Sequence, residues 1–233
     1  MSTHLVKHQK ITKRQMKEDP LVTAAFKATD LWERHGSRIL VAGGALALLG
    51  LLAFFMSQAR AKAEEKASGD LFRASLAVNQ GEYDTAVPML REIVDNQPGT
   101  DAAREAMLYL GDSYMGQKKP TEAVSWYRKF IEKAGGDSGR SRLGYYALGT
   151  ALEDAGEFGP AADAYAEAGR RSQTDNERGR AMLAQARSLL RAGQTAKASD
   201  VWHAILNLPS VEQQILDAAN VHLGELSATQ PTP

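Results

Sequence analysis

The hydrophobic pattern is continuous in one part of the chain and periodic in the rest. From Ile39 to Met56 the sequence reads ILVAGGALALLGLLAFFM, without a charge, an amide or a hydroxyl. As a helix rising about 1.5 Å per residue, this stretch is roughly 27 Å long, close to the hydrocarbon core of a bilayer. The pattern predicts a transmembrane helix over residues 39–56. A buried core helix and a signal peptide cleaved near Ala59–Arg60–Ala61 are the alternatives.

Beyond the apolar stretch, hydrophobic positions recur at helical spacing and again every 37–38 residues. The register is set by four alanines, Ala86, Ala123, Ala161 and Ala198. A bulky residue follows each alanine four positions later, at Leu90, Tyr127, Tyr165 and Trp202. A small residue precedes each alanine in the helix before it, at Ala74, Gly111, Gly149 and Ala186. The pattern predicts four helical hairpins that cross at small residues, with a bulky side chain beside each crossing.

These repeated segments resemble the tetratricopeptide repeat (TPR) family. The resemblance rests on GEYDTAVPML from Gly81, KKPTEAVSWY from Lys118, GEFGPAADAY from Gly156 and GQTAKASDVW from Gly193. It implies an all-α fold, in which the transmembrane helix is followed by a TPR-like α-solenoid of about four hairpins and a C-terminal cap helix over Val211 to Leu226. Two features depart from the family. The units are longer than the usual 34 residues, and Lys118 stands where the turn glycine is expected.

The flanking segments complete the predicted domain organisation. Residues 1–38 form a basic leader with a short amphipathic helix starting at Asp19–Pro20, and residues 57–66 form a helical connector. We expect the membrane helix to continue through this connector into the repeat domain, residues 67–226. A flexible tether is the alternative, and Gly69 is the expected site of a break. The tail, residues 227–233, is predicted to be disordered because it contains Pro231 and Pro233.

The charge distribution predicts topology rather than nucleic-acid binding. Lys and Arg total 28 and Asp and Glu total 28, so no general basic character favours nucleic acid. Residues 1–38 hold eight basic and four acidic residues, a surplus that places the N-terminus in the cytoplasm and residues 57–233 across the membrane. This architecture is similar to single-pass bacterial TPR proteins ancillary to the Sec translocon. That resemblance implies the bacterial inner membrane, a periplasmic repeat domain and a chaperone-like role.

No residue pattern indicates catalysis, a cofactor or a metal site. The absence of cysteine excludes disulfides, thiolate catalysis and zinc–thiolate sites. The five histidines lack metal-ligand spacing, and no phosphate-binding glycine motif is present. Gly111–Asp112–Ser113 is similar to the nucleophile block of some esterases, but Gly111 is already explained as a crossing residue. We therefore predict a non-enzymatic protein without cofactor or metal.

The resemblance implies that partners bind the wall formed by the first helices of the hairpins. Ten residues are predicted to face partners there: Leu71, Val78, Leu108, Asp112, Met115, Tyr146, Thr150, Leu183, Arg187 and Leu190. Their character suits apolar protein segments rather than a clamp for a peptide carboxylate, although some of them could instead pack between repeats. We predict a membrane-anchored scaffold or adaptor. An accessory subunit of a membrane complex is the alternative, and the ends of the array are a candidate homodimer contact.

Overall fold

The structure is a computed structural model that describes residues 20–229, and within that range all regular structure is helical. The basic stretch Lys7–Lys17 and residues 230–233 lie outside the described residues. The helices are α1 (Pro20–Asn79), α2 (Tyr83–Asn96), α3 (Asp101–Gly116), α4 (Pro120–Lys133), α5 (Ser138–Asp154), α6 (Phe158–Arg170), α7 (Asp175–Arg191), α8 (Thr195–Leu206) and α9 (Gln213–Thr229). The chain divides into two compact units, Met1–Ala59 and Arg60–Pro233.

The first unit contains the apolar stretch, and its side chains are exposed. One helix of the described residues, Trp32–Asn79 within α1, is long and apolar enough to cross a membrane, and none of its most apolar window is buried. Leu40, Val41 and Phe55 are each more than half exposed. The alternative of a buried core helix is therefore wrong for this unit. Residues 57–70 lie inside α1, and Gly69 is in the helix interior rather than at a break.

The second unit is a series of helical hairpins. Repeat one pairs the C-terminal part of α1 with α2, repeat two pairs α3 with α4, repeat three pairs α5 with α6, and repeat four pairs α7 with α8. Each helix from α2 onward packs against the next one in the chain, and α9 covers α8 and α7. The Glu64 carboxylate accepts hydrogen bonds from the backbone N–H groups of Asp101 and Ala102, at 2.8 and 3.1 Å. These two hydrogen bonds tie repeat one to α3, and they are favourable because the N-terminus of a helix attracts negative charge.

The helix crossings follow the predicted register. All eight small crossing residues are buried, and so are the four bulky residues beside them. A Cβ built on Gly149 would lie only 2.8 Å from Cδ1 of Tyr165, and one on Gly111 would overlap the Tyr127 ring. Real Cβ atoms do not approach that closely, so both tyrosines pack against bare backbone. The sequence-based prediction that small residues bring the paired helices together is confirmed.

The turns between paired helices share one geometry in all four repeats. Gly81, Gly156 and Gly193 have φ of 77°, 79° and 75°, and Lys118 adopts φ of 60° at the equivalent position. Each turn carries the same backbone hydrogen bond back into the first helix, as in Lys119 N to Tyr114 O at 2.8 Å and Glu157 N to Leu152 O at 2.8 Å. This pattern is the Schellman motif. Repeat two therefore has an ordinary turn despite lacking the glycine.

The core continues to the C-terminal end of the array. One cluster of buried residues runs from Ala67 to Ala184, and a second joins α6, α7 and α8 to Ile215 and Ala219 of α9. The expected cap helix is thus present, but it spans Gln213–Thr229 instead of Val211 to Leu226. The tail predicted to be disordered from Ser227 is consequently helical over its first three residues.

Candidate protein-binding face

The ten predicted binding residues, which we call the first-helix face, differ in how exposed they are. Tyr146, Thr150, Arg187 and Leu190 are exposed, and Val78, Leu108, Asp112, Met115 and Leu183 are half-buried. Leu71 is only 8% exposed and belongs to the hydrophobic core. Its assignment to the binding surface is therefore wrong, because α1, α2 and α3 contribute to the same cluster around it. The other nine residues retain accessible surface.

In repeat two, the first-helix face carries one carboxylate between two apolar side chains. Leu108 and Met115 flank Asp112 at helical spacing on α3, and both pack partly on the core. The hydroxyl of Tyr127 on α4 donates a hydrogen bond to Asp112 Oδ1 at 2.7 Å. Burial raises the pKa of Asp112, while this hydrogen bond lowers it to a smaller extent. Burial and the adjacent Asp112 carboxylate also raise the pKa of Tyr127.

In repeats three and four, the carboxylate that the crossing tyrosine reaches stands three residues later in the register, at Glu153, and is fully engaged. Glu153 at the end of α5 accepts hydrogen bonds from Tyr165 Oη at 2.9 Å and Ser188 Oγ at 2.8 Å. Arg187 adds two, from Nη2 at 2.9 Å and from Nε at 3.3 Å. Burial alone would raise the pKa of Glu153, but the hydrogen bonds from Arg187, Ser188 and Tyr165 outweigh it and lower the pKa. Glu153 therefore connects α5, α6 and α7.

An aromatic and polar surface extends from this network. The rings of Tyr146 and Tyr165 meet edge to face with centroids 5.2 Å apart, and Thr150 Oγ1 lies 3.1 Å from Tyr165 Oη. The predicted residues Tyr146, Thr150 and Arg187 are therefore brought together by Tyr165, a second-helix residue. Leu183 and Leu190 share α7 with Arg187.

Beside Tyr146 lies a groove of about 350 Å³ between α5, α6 and α7. Leu143 and Tyr146 form its apolar wall, and both are exposed. Arg142 and Glu177 also line the groove and pair with each other at 3.1 Å, which neutralises their charges. Sequence reasoning missed Leu143, although its position three residues before Tyr146 was an available signal. The groove can accept an apolar side chain from a partner.

The described residues do not contain a group of three or more side chains able to hold a metal ion. Of the exposed arginines on α7, Arg187 pairs with Glu153 and Arg180 pairs with Glu212 at 3.1 Å, while Arg191 lies over the Phe158 ring. The face therefore offers apolar contact, hydrogen bonding and the half-buried carboxylate of Asp112.

Comparison with known proteins supports the repeat resemblance. The model of the family described as tetratricopeptide repeat matches residues 73–138, which cover most of repeats one and two. TPR-like repeats of a protein from Podosopora anserina, assigned as a kinesin light chain, are 14% identical with a TM-score of 0.56, over 71% of this chain and 92% of that one. BtubC (BKLC) from P. vanneervenii is 16% identical with a TM-score of 0.53, over 95% of this chain and 89% of that one. A comparison with curated proteins gives no match.

At these identities the structural matches establish the fold, a TPR-like α-solenoid. TPR proteins are typically non-enzymatic scaffolds, and neither comparison indicates a catalytic family. Neither comparison identifies the membrane-anchored, Sec-associated type.

Proposed function

We propose that this chain is a non-enzymatic scaffold, anchored in a membrane by residues 39–56, that binds other proteins through its first-helix face. The observation that carries the proposal is the exposed, partly apolar surface around Tyr146, Leu143 and Leu190 on a TPR-like array. Exposed apolar side chains beside a groove are typical of surfaces that bind protein segments.

The anchor is supported by the exposure of the apolar stretch. Leu49, Phe54 and Phe55 are each about 60% exposed, and such a continuous apolar surface is unfavourable in water. The basic surplus of residues 1–38 favours a cytoplasmic N-terminus and an extracytoplasmic repeat domain. With the architectural resemblance, this surplus supports the proposal of a bacterial inner-membrane protein with a chaperone-like role near the Sec translocon.

Topology has a direct test. Protease added to intact spheroplasts should digest the repeat domain and leave a fragment containing residues 1–56. A control with permeabilised spheroplasts should digest the leader as well. If a fragment of residues 57–233 is protected in intact spheroplasts, the outward orientation is wrong.

Binding through the face is tested by exchanging exposed residues. The double variant Tyr146→Ser, Leu190→Ser removes exposed apolar surface and leaves every buried crossing residue unchanged, so the fold should persist. In mild-detergent purification with quantitative mass spectrometry, we expect the double variant to lose proteins that the wild type retains. A matched control, Asp163→Ser on the exposed surface of α6, should retain them. Unchanged partners in the double variant would reject the face.

The same measurement separates the scaffold from the alternative of an accessory subunit. Many substoichiometric partners favour an adaptor for changing clients, whereas one set at a fixed ratio favours a complex subunit. The longer repeat units and the lack of a carboxylate-clamp pattern among the predicted face residues are compatible with both. The half-buried apolar residues Leu108 and Met115 favour client segments with apolar side chains.

A further inference from the structure

Among residues 20–229, no helix packs on one face of α1, although the equivalent face of every later first helix is covered. In repeats two to four, the position two residues after the small crossing residue is occupied by Ser113, Ala151 and Ser188, each 0% exposed. In repeat one the same position is Leu76, which is 43% exposed. Phe72, four residues earlier on this face, is 65% exposed.

The later repeats show what normally covers this face. The position five residues before each crossing residue is small throughout the array, at Gly69, Ala106, Gly144 and Ala181. A Cβ built on Gly144 would lie 2.7 Å from Phe130 and 2.8 Å from Ile131, both on α4, the second helix of the preceding repeat. A Cβ built on Gly169 of α6 would lie 3.7 Å from the Cβ of Ala181, so α6 passes beside Ala181 in the equivalent place. A small residue here therefore allows a preceding helix to pack closely.

Gly69 is the equivalent small residue of repeat one, but among the described residues nothing lies within 4 Å of a Cβ placed on it. A glycine inside a helix is less favourable than an alanine because it loses more conformational freedom on folding, so its presence without a packing role is unfavourable. Elsewhere in the array, four glycines inside helices are covered by aromatic rings of a neighbouring helix, whereas Gly159 and Gly224 have nothing within 4 Å of a built Cβ. The pairs are Gly111 with Tyr127, Gly116 with Tyr83, Gly144 with Phe130 and Gly149 with Tyr165.

The open face carries both halves of such a contact. Gly69 provides the small position, and Phe72 provides an exposed aromatic ring three residues later. Gly69, Phe72, Leu76 and Asn79 follow the alternating three and four spacing of a two-stranded coiled-coil seam. In a parallel pair with twofold symmetry, Phe72 of each copy would pack over Gly69 and Leu76 of the other. The face is thus complementary to itself.

We propose that two copies of this chain associate through the α1 face formed by Gly69, Phe72, Leu76 and Asn79. Two large apolar side chains per copy bury far less than the roughly 1,200 Å² of a typical stable complex. The association consequently requires the shared membrane, which confines the copies and gives their chains one direction of crossing. In this respect the inference rests on the proposed anchor. Confinement raises the effective concentration without any new contact.

The natural absence of cysteine permits a specific test with the full chain. Asn79→Cys places one thiol at the end of the seam and leaves Gly69, Phe72 and Leu76 intact. Asp163→Cys, on the exposed surface of α6, is the matched control. Both proteins are reconstituted in vesicles of phosphatidylethanolamine and phosphatidylglycerol, recovered by flotation and mildly oxidised. We expect Asn79→Cys to give about fivefold or more disulfide-linked dimer than the control, because confinement favours repeated encounters of the paired face.

A second variant separates this contact from association of the apolar spans. Adding Phe72→Glu to Asn79→Cys should reduce the dimer to the control level without lowering the thermal stability of the repeats, since Phe72 is exposed. Adding Gly50→Leu in the span should leave the dimer unchanged. Floated protein in which Asn79→Cys links no better than Asp163→Cys, or links equally well with Phe72→Glu, overturns the pairing and leaves the anchor standing. If the protein does not float with the vesicles, the anchor is rejected, and this membrane-dependent pairing is rejected with it.

Discussion

Repeats two and three use the same residue types at their crossings, but they place their acidic groups in opposite electrostatic situations. In both, a glycine on the first helix packs against a tyrosine whose hydroxyl reaches a carboxylate on that helix. A hydrogen bond from that tyrosine alone acts on the pKa of Asp112. Glu153 instead accepts hydrogen bonds from three side chains, one of which is the positively charged Arg187. The pKa of Asp112 is raised and that of Glu153 is lowered. The shared crossing therefore does not determine the role of the acid beside it.

The difference indicates a division of labour along the array. Glu153 links neighbouring repeats and uses Arg187, so its charge is neutralised within the chain. Asp112 lies between Leu108 and Met115 with a partly accessible carboxylate that no ion pair among residues 20–229 engages. We expect repeats three and four to be held together more firmly by polar contacts than repeats two and three.

The largest effect should come from removing the engaged carboxylate. Glu153→Ala leaves the hydroxyls of Tyr165 and Ser188 without their acceptor and Arg187 without its partner. Loss of one member of such a network costs roughly 2–3 kcal/mol, less than for a fully buried ion pair because Arg187 is half exposed. Chemical unfolding in detergent, followed by circular dichroism, measures this loss. A change below that caused by Asp112→Ala would contradict the division of labour.

A smaller loss is expected at the turn of repeat three. Gly156 has φ of 79°, a region that costs a residue with a Cβ about 1–2 kcal/mol. Because alanine also reduces the freedom of the unfolded chain, Gly156→Ala should lower the unfolding free energy by a net amount of about 0.5–1 kcal/mol. Gly159→Ala is a suitable control, because Gly159 lies in α6 and nothing lies within 4 Å of a Cβ built there. Equal stability of the two variants would show that the turn does not require a positive φ.

The equivalent change in repeat two should have the opposite sign. Lys118 already occupies the positive-φ position of this turn, at 60°, and its side chain is exposed. Lys118→Gly relieves the steric strain but increases the freedom of the unfolded chain, leaving a net gain of about 0.5–1 kcal/mol. Thermal unfolding should show a raised midpoint. A lowered midpoint would mean that the lysine makes a stabilising contact that outweighs its backbone strain.

The smallest expected effect is a dependence on pH that differs in sign between the two acids. A raised folded-state pKa means that ionised Asp112 opposes folding, so Asp112→Asn should be slightly more stable than wild type at neutral pH. That advantage should disappear as the pH falls through the raised pKa of Asp112 and the wild-type carboxyl becomes neutral. Glu153→Gln should be less stable at neutral pH, and its deficit should shrink as the pH falls through the lowered pKa of Glu153. Parallel pH profiles for both variants would contradict the assigned pKa directions.

The crossings and the hairpin count were predictable because they depend on local, repeated information. A small residue and a bulky residue in fixed register specify which helix faces meet, and this register held even at Ala74 and Ala186, where alanine replaces glycine. The turn of repeat two was harder, since nothing in the segment at Lys118 indicates that a lysine would adopt the glycine conformation. The neighbouring hydrogen bonds of the Schellman motif impose it.

Other features could not be read from the sequence because they depend on tertiary neighbours. Arg187 and Glu153 are 34 residues apart, and only the stacking of α7 on α5 and α6 brings them together. The helical register placed Leu71 on the same face as Val78, but it could not show that adjacent helices close over Leu71 and not over Val78. Gly69 was expected to break the helix, although it lies in the interior of α1. Its small size makes sense only beside the equivalent positions of the later repeats.

The central claim, that proteins bind the first-helix face, is tested most directly by photo-crosslinking in cells. A photoreactive phenylalanine derivative replacing Tyr146 should form discrete crosslinks to other proteins under ultraviolet light. The same group replacing Asp163 on α6 should form few or none. Crosslinking at position 146 no greater than at position 163 would contradict the account.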